Sequence, residues 1–175
     1  MQSMFEVTVR YSKMIEGTDK QKRVNEVYLF DALTYTEAEK LAYERLPEII
    51  SGEFMVVGIR KARYAEVIPC EEGGYWYKVK TTFIFVDENS GKEKRISQTV
   101  LTLAEDITDA VARTNAAIGD TPDFMVKAVT ESNIFDFFPY MERKADEVPA
   151  DREISRRPAT EEELAAAREK REQGE

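Results

Sequence analysis

The feature that most constrains this chain is that it reads as the same pattern twice. Phe5-Glu6-Val7 is answered by Tyr77-Lys78-Val79, Lys22-Arg23-Val24 by Lys94-Arg95-Ile96, Leu29 by Leu101 and Ala32 by Ala104, each after about 72 residues. Thr34 and Glu37 fall on Asp106 and Asp109, and Thr36 and Ala38 on Thr108 and Ala110. Farther on, Glu53 with Phe54-Met55-Val56 falls on Asp123 with Phe124-Met125-Val126, at a displacement of about 70 residues. The displacement shrinks because the second connection from helix to strand is shorter. Matches in one order across four consecutive elements predict a tandem duplication, with repeat one at 4–68 and repeat two at 76–140. Glu71-Glu72-Gly73-Gly74 reads as the linker between them.

Each unit reads as strand, strand, helix, strand. Phe5, Val7, Val9 and Tyr11 alternate with Glu6, Thr8, Arg10 and Ser12; Tyr77, Val79, Thr81, Phe83 and Phe85 alternate with Trp76, Lys78, Lys80 and Thr82. Period-two alternation marks a strand with one apolar face. Polar turns at Glu16–Asp19 and Asp87–Gly91 predict hairpins, with second strands over Arg23–Leu33 and Arg95–Leu103. Thr34 with Glu37, and Asp106 with Asp109, stand at the first cap and third position of a helix, where a short oxygen side chain serves free amides and a carboxylate answers. Ala38, Leu41, Ala42 and Ile49, and Ile107, Ala110, Val111 and Ile118, form apolar stripes at helical spacing. The third strands start at Phe54, running toward Ile68 and Pro69, and at Phe124, ending in Phe135–Tyr140. The fold class expected is therefore α+β: antiparallel sheet with two helices on one face, plus a charged tail over 141–175. The tail lacks a wide apolar stripe, so it reads as mostly disordered with a short helix near 161–171.

Charge and composition narrow the function. The formal net charge is −9, so binding of nucleic acid would need a local patch rather than the overall field. There is no histidine, which removes the commonest general base and transition-metal ligand. Cys70 is the one cysteine and lies beside Glu71 and Glu72, which disfavour a thiolate. A lone thiol and the lack of a basic, then apolar, leader suit a cytoplasmic protein; no apolar run suits a membrane. Asp87-Glu88-Asn89-Ser90-Gly91 begins like a calcium loop, but its glycine comes early and no bidentate glutamate follows. No enzyme activity, cofactor or metal is expected.

What remains is a distributed basic and aromatic pattern. Lys40, Arg45 and Arg113 lie in the helices; the other cations of the first 140 residues lie on strands and turns, while acids dominate the helices. Trp76, Lys78 and Lys80 alternate onto one strand face, Lys92, Lys94 and Arg95 enter its hairpin neighbour, and Arg60, Arg63 and Tyr64 cluster at the end of repeat one. Aromatic faces beside cations on a sheet are how sequence-tolerant binders hold single strands. The plainer reading of the same residues is a solvated strand face with Trp76 in the core.

Phe5-Glu6-Val7-Thr8-Val9, Asp31-Ala32-Leu33 with Thr36-Glu37-Ala38-Glu39, Ser51-Gly52-Glu53-Phe54, Trp76-Tyr77-Lys78-Val79-Lys80 and Phe138-Pro139-Tyr140 resemble a small uncharacterised family of gut bacteria and their tailed phages, over residues 3–140. That resemblance implies no activity and carries over no functional residue. More loosely, duplicated strand-rich units crossed by a helix resemble the Whirly and Pur-type single-stranded DNA-binding folds, which have more strands per helix. The leading expectation is a non-catalytic single-stranded nucleic-acid-binding accessory protein of phage or host DNA replication. The alternative is a protein-interaction module acting through an edge strand or the C-terminal tail. A structural homo-oligomer subunit is a third.

Overall fold

The computed structural model describes residues 3–119 and 123–140. The alternating segment at the start forms β1 (Ser3–Met14), which turns back into β2 (Gln21–Ala32) in an antiparallel hairpin. Their register sets Phe5 opposite Phe30 and Val7 opposite Tyr28, so the buried side chains share one face. Helix α1 (Tyr35–Arg45) covers that face with Ala38 and Ala42, continued by Leu46 in a short 3-10 turn. Thr34 caps it, its hydroxyl accepting from the Glu37 amide at 3.1 Å, while the Glu37 carboxylate accepts from the Leu33 amide at 2.7 Å. Strand β3 (Phe54–Ala62) then pairs antiparallel on the free side of β1.

The second half runs through the same elements: β5 (Tyr75–Val86), β6 (Glu93–Ala104), α2 (Ile107–Ile118) and β7 (Phe124–Glu131). Asp106 caps α2, accepting from the Asp109 amide at 2.8 Å. Tyr77, Val79, Ala104 and Ala110 form the core between this sheet and α2. In the gap between the halves, Gly74 has a φ of +133°, and a Cβ there would run into the Ala104 carbonyl. Only glycine fits that approach.

The long third strand expected in each half is broken in two. After β3 comes β4 (Glu66–Ile68), and after β7 comes β8 (Ile134–Phe138). Each short strand leaves its own half and joins the sheet of the other. The sheet orders are β3-β1-β2-β8 and β4-β6-β5-β7, and both exchanged strands pair parallel to their neighbours. The sheets are thus mixed rather than wholly antiparallel, and neither half holds a complete one. Among the described residues the fold is α+β, two helices and eight strands in two sheets.

The helices do not share a face. Leu29 points away from α1 and joins Trp76, Leu101 and Ile134 in one cluster, and Trp76 points away from α2. Met4, Val27, Val67 and Phe137 complete the cluster. The two sheets therefore pack face to face, each with its helix outside. A single sheet would leave Leu29, Trp76 and Leu101 in water; stacking the sheets removes them from it, at about 25 cal/mol per Å² of apolar surface. The expected tail, its helix near 161–171 and a partner contact through it lie outside the described residues.

Candidate functional site

Part of the expected nucleic-acid face, Trp76 with Tyr64 and Lys78, belongs to this sheet-to-sheet layer. Trp76 is 5% exposed and meets the Phe137 ring edge-on at 6.3 Å between centroids. No base can stack on it: the expected platform is part of the core. Nearby, Arg60, Tyr64 and Lys78 converge on Glu6, a buried carboxylate on β1. The Tyr64 hydroxyl donates to Glu6 at 2.7 Å, Arg60 donates to its other oxygen, and the Lys78 ammonium lies 3.9 Å away. Lys78 also sits over the Tyr64 ring, 5.8 Å from its centroid. Burial alone would raise the Glu6 carboxyl; the hydrogen bonds from Tyr64 and Arg60 and the charges of Lys78 and Arg60 outweigh it and hold the group below its ordinary range. These residues serve each other across the two sheets. Glu6 was the partner that reading cations and aromatics alone passed over.

A folded-state pKa below the unfolded value means stability that is present above the ordinary carboxylate range and lost as pH falls through the folded value. Glu6→Gln is therefore expected to lower stability at neutral pH by about 1.5–3 kcal/mol, the worth of hydrogen bonds to a charged group. The difference from the parent protein should narrow in acid. Urea titrations at pH 7 and pH 3 check this; an equal deficit at both would mean that Glu6 acts by packing alone.

The other expected residues are exposed and scattered. Lys80 and Arg95 share the face of Lys78, since Lys80 pairs with Thr99 and Ile84 with Arg95. Lys94 pairs with Asp87 at the hairpin turn, and Arg95 lies 3.8 Å from Glu93. Lys92 and Arg63 are exposed at turns. The structure does not gather these five cations into one patch with Trp76, and the neighbouring acids Asp87 and Glu93 offset part of their charge.

A different place has the build of a binding site. Where the β1–β2 hairpin nears its turn, a concavity of about 340 Å³ is lined by Tyr11, Lys13, Met14, Glu26, Tyr28, Ile49 and Phe135, with Ser12, Ile50 and Ser51. Met14, Ile49 and Phe135 are 56%, 44% and 58% exposed, unusual for such side chains to gather at one depression. At the base the Tyr11 and Tyr28 hydroxyls donate to the two oxygens of Glu26, at 2.8 and 2.7 Å. Burial and the Glu26 carboxylate push the Tyr11 phenol up to about 12, and raise Tyr28 further. Both tyrosines are thus protonated donors at neutral pH. Phe135 arrives on the exchanged strand β8, its ring 5.5 Å from that of Tyr28. The site therefore needs both halves of the chain.

Period-two reading could have put Tyr11, Glu26 and Tyr28 on one face, since alternate residues of paired strands share it. It could not have brought Phe135 there. The matching register positions in the second half are Phe83, Gln98 and Val100, so the acid and both phenols belong to the first half alone. Among the described residues, no group of three or more Asp, Glu, Cys or His side chains comes together as a metal site would require, and no helix is long and apolar enough to cross a membrane.

An α+β body of two stacked sheets, with a concave, apolar-rimmed site drawn from both halves of the chain, defines a class by shape only. The chain belongs to a family described as a domain of unknown function (DUF4494), whose model matches residues 3–140. No curated protein and no solved structure matches it.

Proposed function

We propose that this protein is a non-catalytic protein-interaction module that receives its partner in the concavity between the β1–β2 hairpin and β8. The observation that carries this reading is the gathering of exposed Met14, Ile49 and Phe135 around a floor of fixed polar groups. Exposed apolar side chains gathered in one patch mark interaction sites, and a concave shape with a few convergent polar atoms suits an inserted side chain. Phe135 stands on an edge strand, so a partner segment lying in the concavity also meets that edge. We further infer a tandem duplication as the origin of the two halves, supported by their equal element order and matching residues. A cytoplasmic setting in gut bacteria or their phages accords with the lone cysteine and the family resemblance.

A second reading, binding of single-stranded nucleic acid during phage or host replication, rests on exposed Lys80, Lys92, Lys94, Arg95 and Arg63. It has lost its stacking platform with Trp76, and the net charge of −9 opposes it. Selection of short peptides from a display library on the full chain separates the two. Selected peptides are expected to lose binding with Phe135→Glu and keep it with Met125→Glu, an exposed apolar residue on β7 away from the concavity. If Phe135→Glu leaves them bound, or if a labelled single strand binds tightly at low salt while no peptide does, the protein-interaction reading falls.

A further inference from the structure

Glu26 is where the concavity carries its negative charge. A carboxylate has about four acceptor directions, and the two phenols use one on each oxygen, which leaves about two. Tyr28 is fully buried, so Glu26 is held from a fixed point rather than swinging in solvent. Beside it stand the exposed Phe135 ring, tilted 57° against the buried Tyr28 ring that backs it, and the apolar side chains of Met14 and Ile49. An anion, one open aromatic face and an apolar wall together match one kind of ligand: a cation on an aliphatic stem. The cation takes a charge-assisted hydrogen bond and a ring face, and the stem lies on the wall.

Resting on the interaction reading above, we propose that this concavity holds a lysine or arginine side chain of the partner protein, its cationic head against Glu26. The net charge of −9 steers a basic segment toward the molecule. The second half, with Phe83, Gln98 and Val100 in the matching places, lacks this acid and these phenols, so among the described residues it does not repeat the receptor. Lys13 also lines the concavity. Its charge works against the ligand and sets the affinity below what Glu26 alone would provide.

The test uses the full chain and three capped tripeptides: glycine-lysine-glycine, glycine-arginine-glycine and glycine-norleucine-glycine. Norleucine keeps the stem and lacks the ammonium. Ring resonances of Tyr11, Tyr28 and Phe135 are followed by NMR. The lysine and arginine peptides are expected to shift these rings saturably, and the norleucine peptide to bind about tenfold or more weakly, as loss of one charge-assisted hydrogen bond requires. Glu26→Gln should weaken the cationic peptides by a similar factor while its amide oxygen still accepts from one phenol. Lys13→Glu, at an exposed position, should tighten them several-fold. Equal binding of the norleucine peptide, indifference to both substitutions, or no ring shift at any soluble concentration overturns the cation proposal. The interaction reading then still stands or falls separately on Phe135→Glu with the selected peptides. Shifts of the same rings by an oligonucleotide would assign the site to nucleic acid and overturn both.

Discussion

A chain ended at Ser132 is expected to be unfolded in buffer under conditions where a chain ended at Tyr140 is folded. The difference between them is β8. Ile134 is buried between the sheets, Phe137 packs in the same layer, and Phe138 stacks on Phe30 with ring centroids 4.7 Å apart. Removing three such side chains from their burial costs about 5–9 kcal/mol at the usual worth of a buried apolar residue. Fully buried Tyr28, Leu29 and Phe30 would lose cover at the same time. Domains of this size hold about 5–15 kcal/mol in total, so the loss consumes most or all of it. Circular dichroism melts of the two chains decide the matter. A cooperative melt of the shorter chain within a few degrees of the longer one would mean that β8 decorates the first sheet rather than completing it.

Trp76→Ala is expected to lower stability by about 3–5 kcal/mol, the range for deleting a large buried ring. Trp76 has Phe137 on one side and shares its cluster with Leu29, Leu101 and Ile134. It sits where the two halves of the chain meet, so a cavity there has walls from both sheets and little freedom to collapse. Guanidinium unfolding at neutral pH gives the value directly. A change below about 1 kcal/mol would place Trp76 at the surface and restore the stacking role that its neighbours Lys78 and Lys80 suggest in sequence. The two substitutions together separate the parts of the sheet-to-sheet layer: Trp76→Ala tests its apolar centre, Glu6→Gln its charged margin.

The local order of this protein is legible residue by residue. Period-two runs locate β1 and β5, because a half-buried strand must alternate, and the polar turns after them locate β2 and β6. Thr34 and Asp106 mark the helix starts, because free amides there need an acceptor. Glu71-Glu72-Gly73-Gly74 marks the join between the halves. None of these signals reaches beyond a dozen residues, and none needs a partner element to be understood.

Three features were decided only when the halves met. Alternation defines two faces of β5 but not what covers the second one, and Trp76, Lys78 and Tyr64 suit water or a facing sheet equally, each having an apolar body and a polar end. Glu6 settles it by giving the cations and the phenol an acceptor inside. The exchange of β4 and β8 depends on where a chain leaving one sheet finds an unpaired edge, which is a property of two folded halves. The concavity follows from that exchange, for Phe135 meets Tyr28 and Glu26 through more than a hundred residues of intervening chain. The sequence by itself determined the two hairpins, the helix starts and their apolar faces, through short-range hydrogen bonding and periodicity, but not the break of each third strand into two. Which faces see solvent, which strand closes which sheet and where a ligand can sit were left to burial of apolar surface across the whole body, a quantity that exists only once distant segments are in contact.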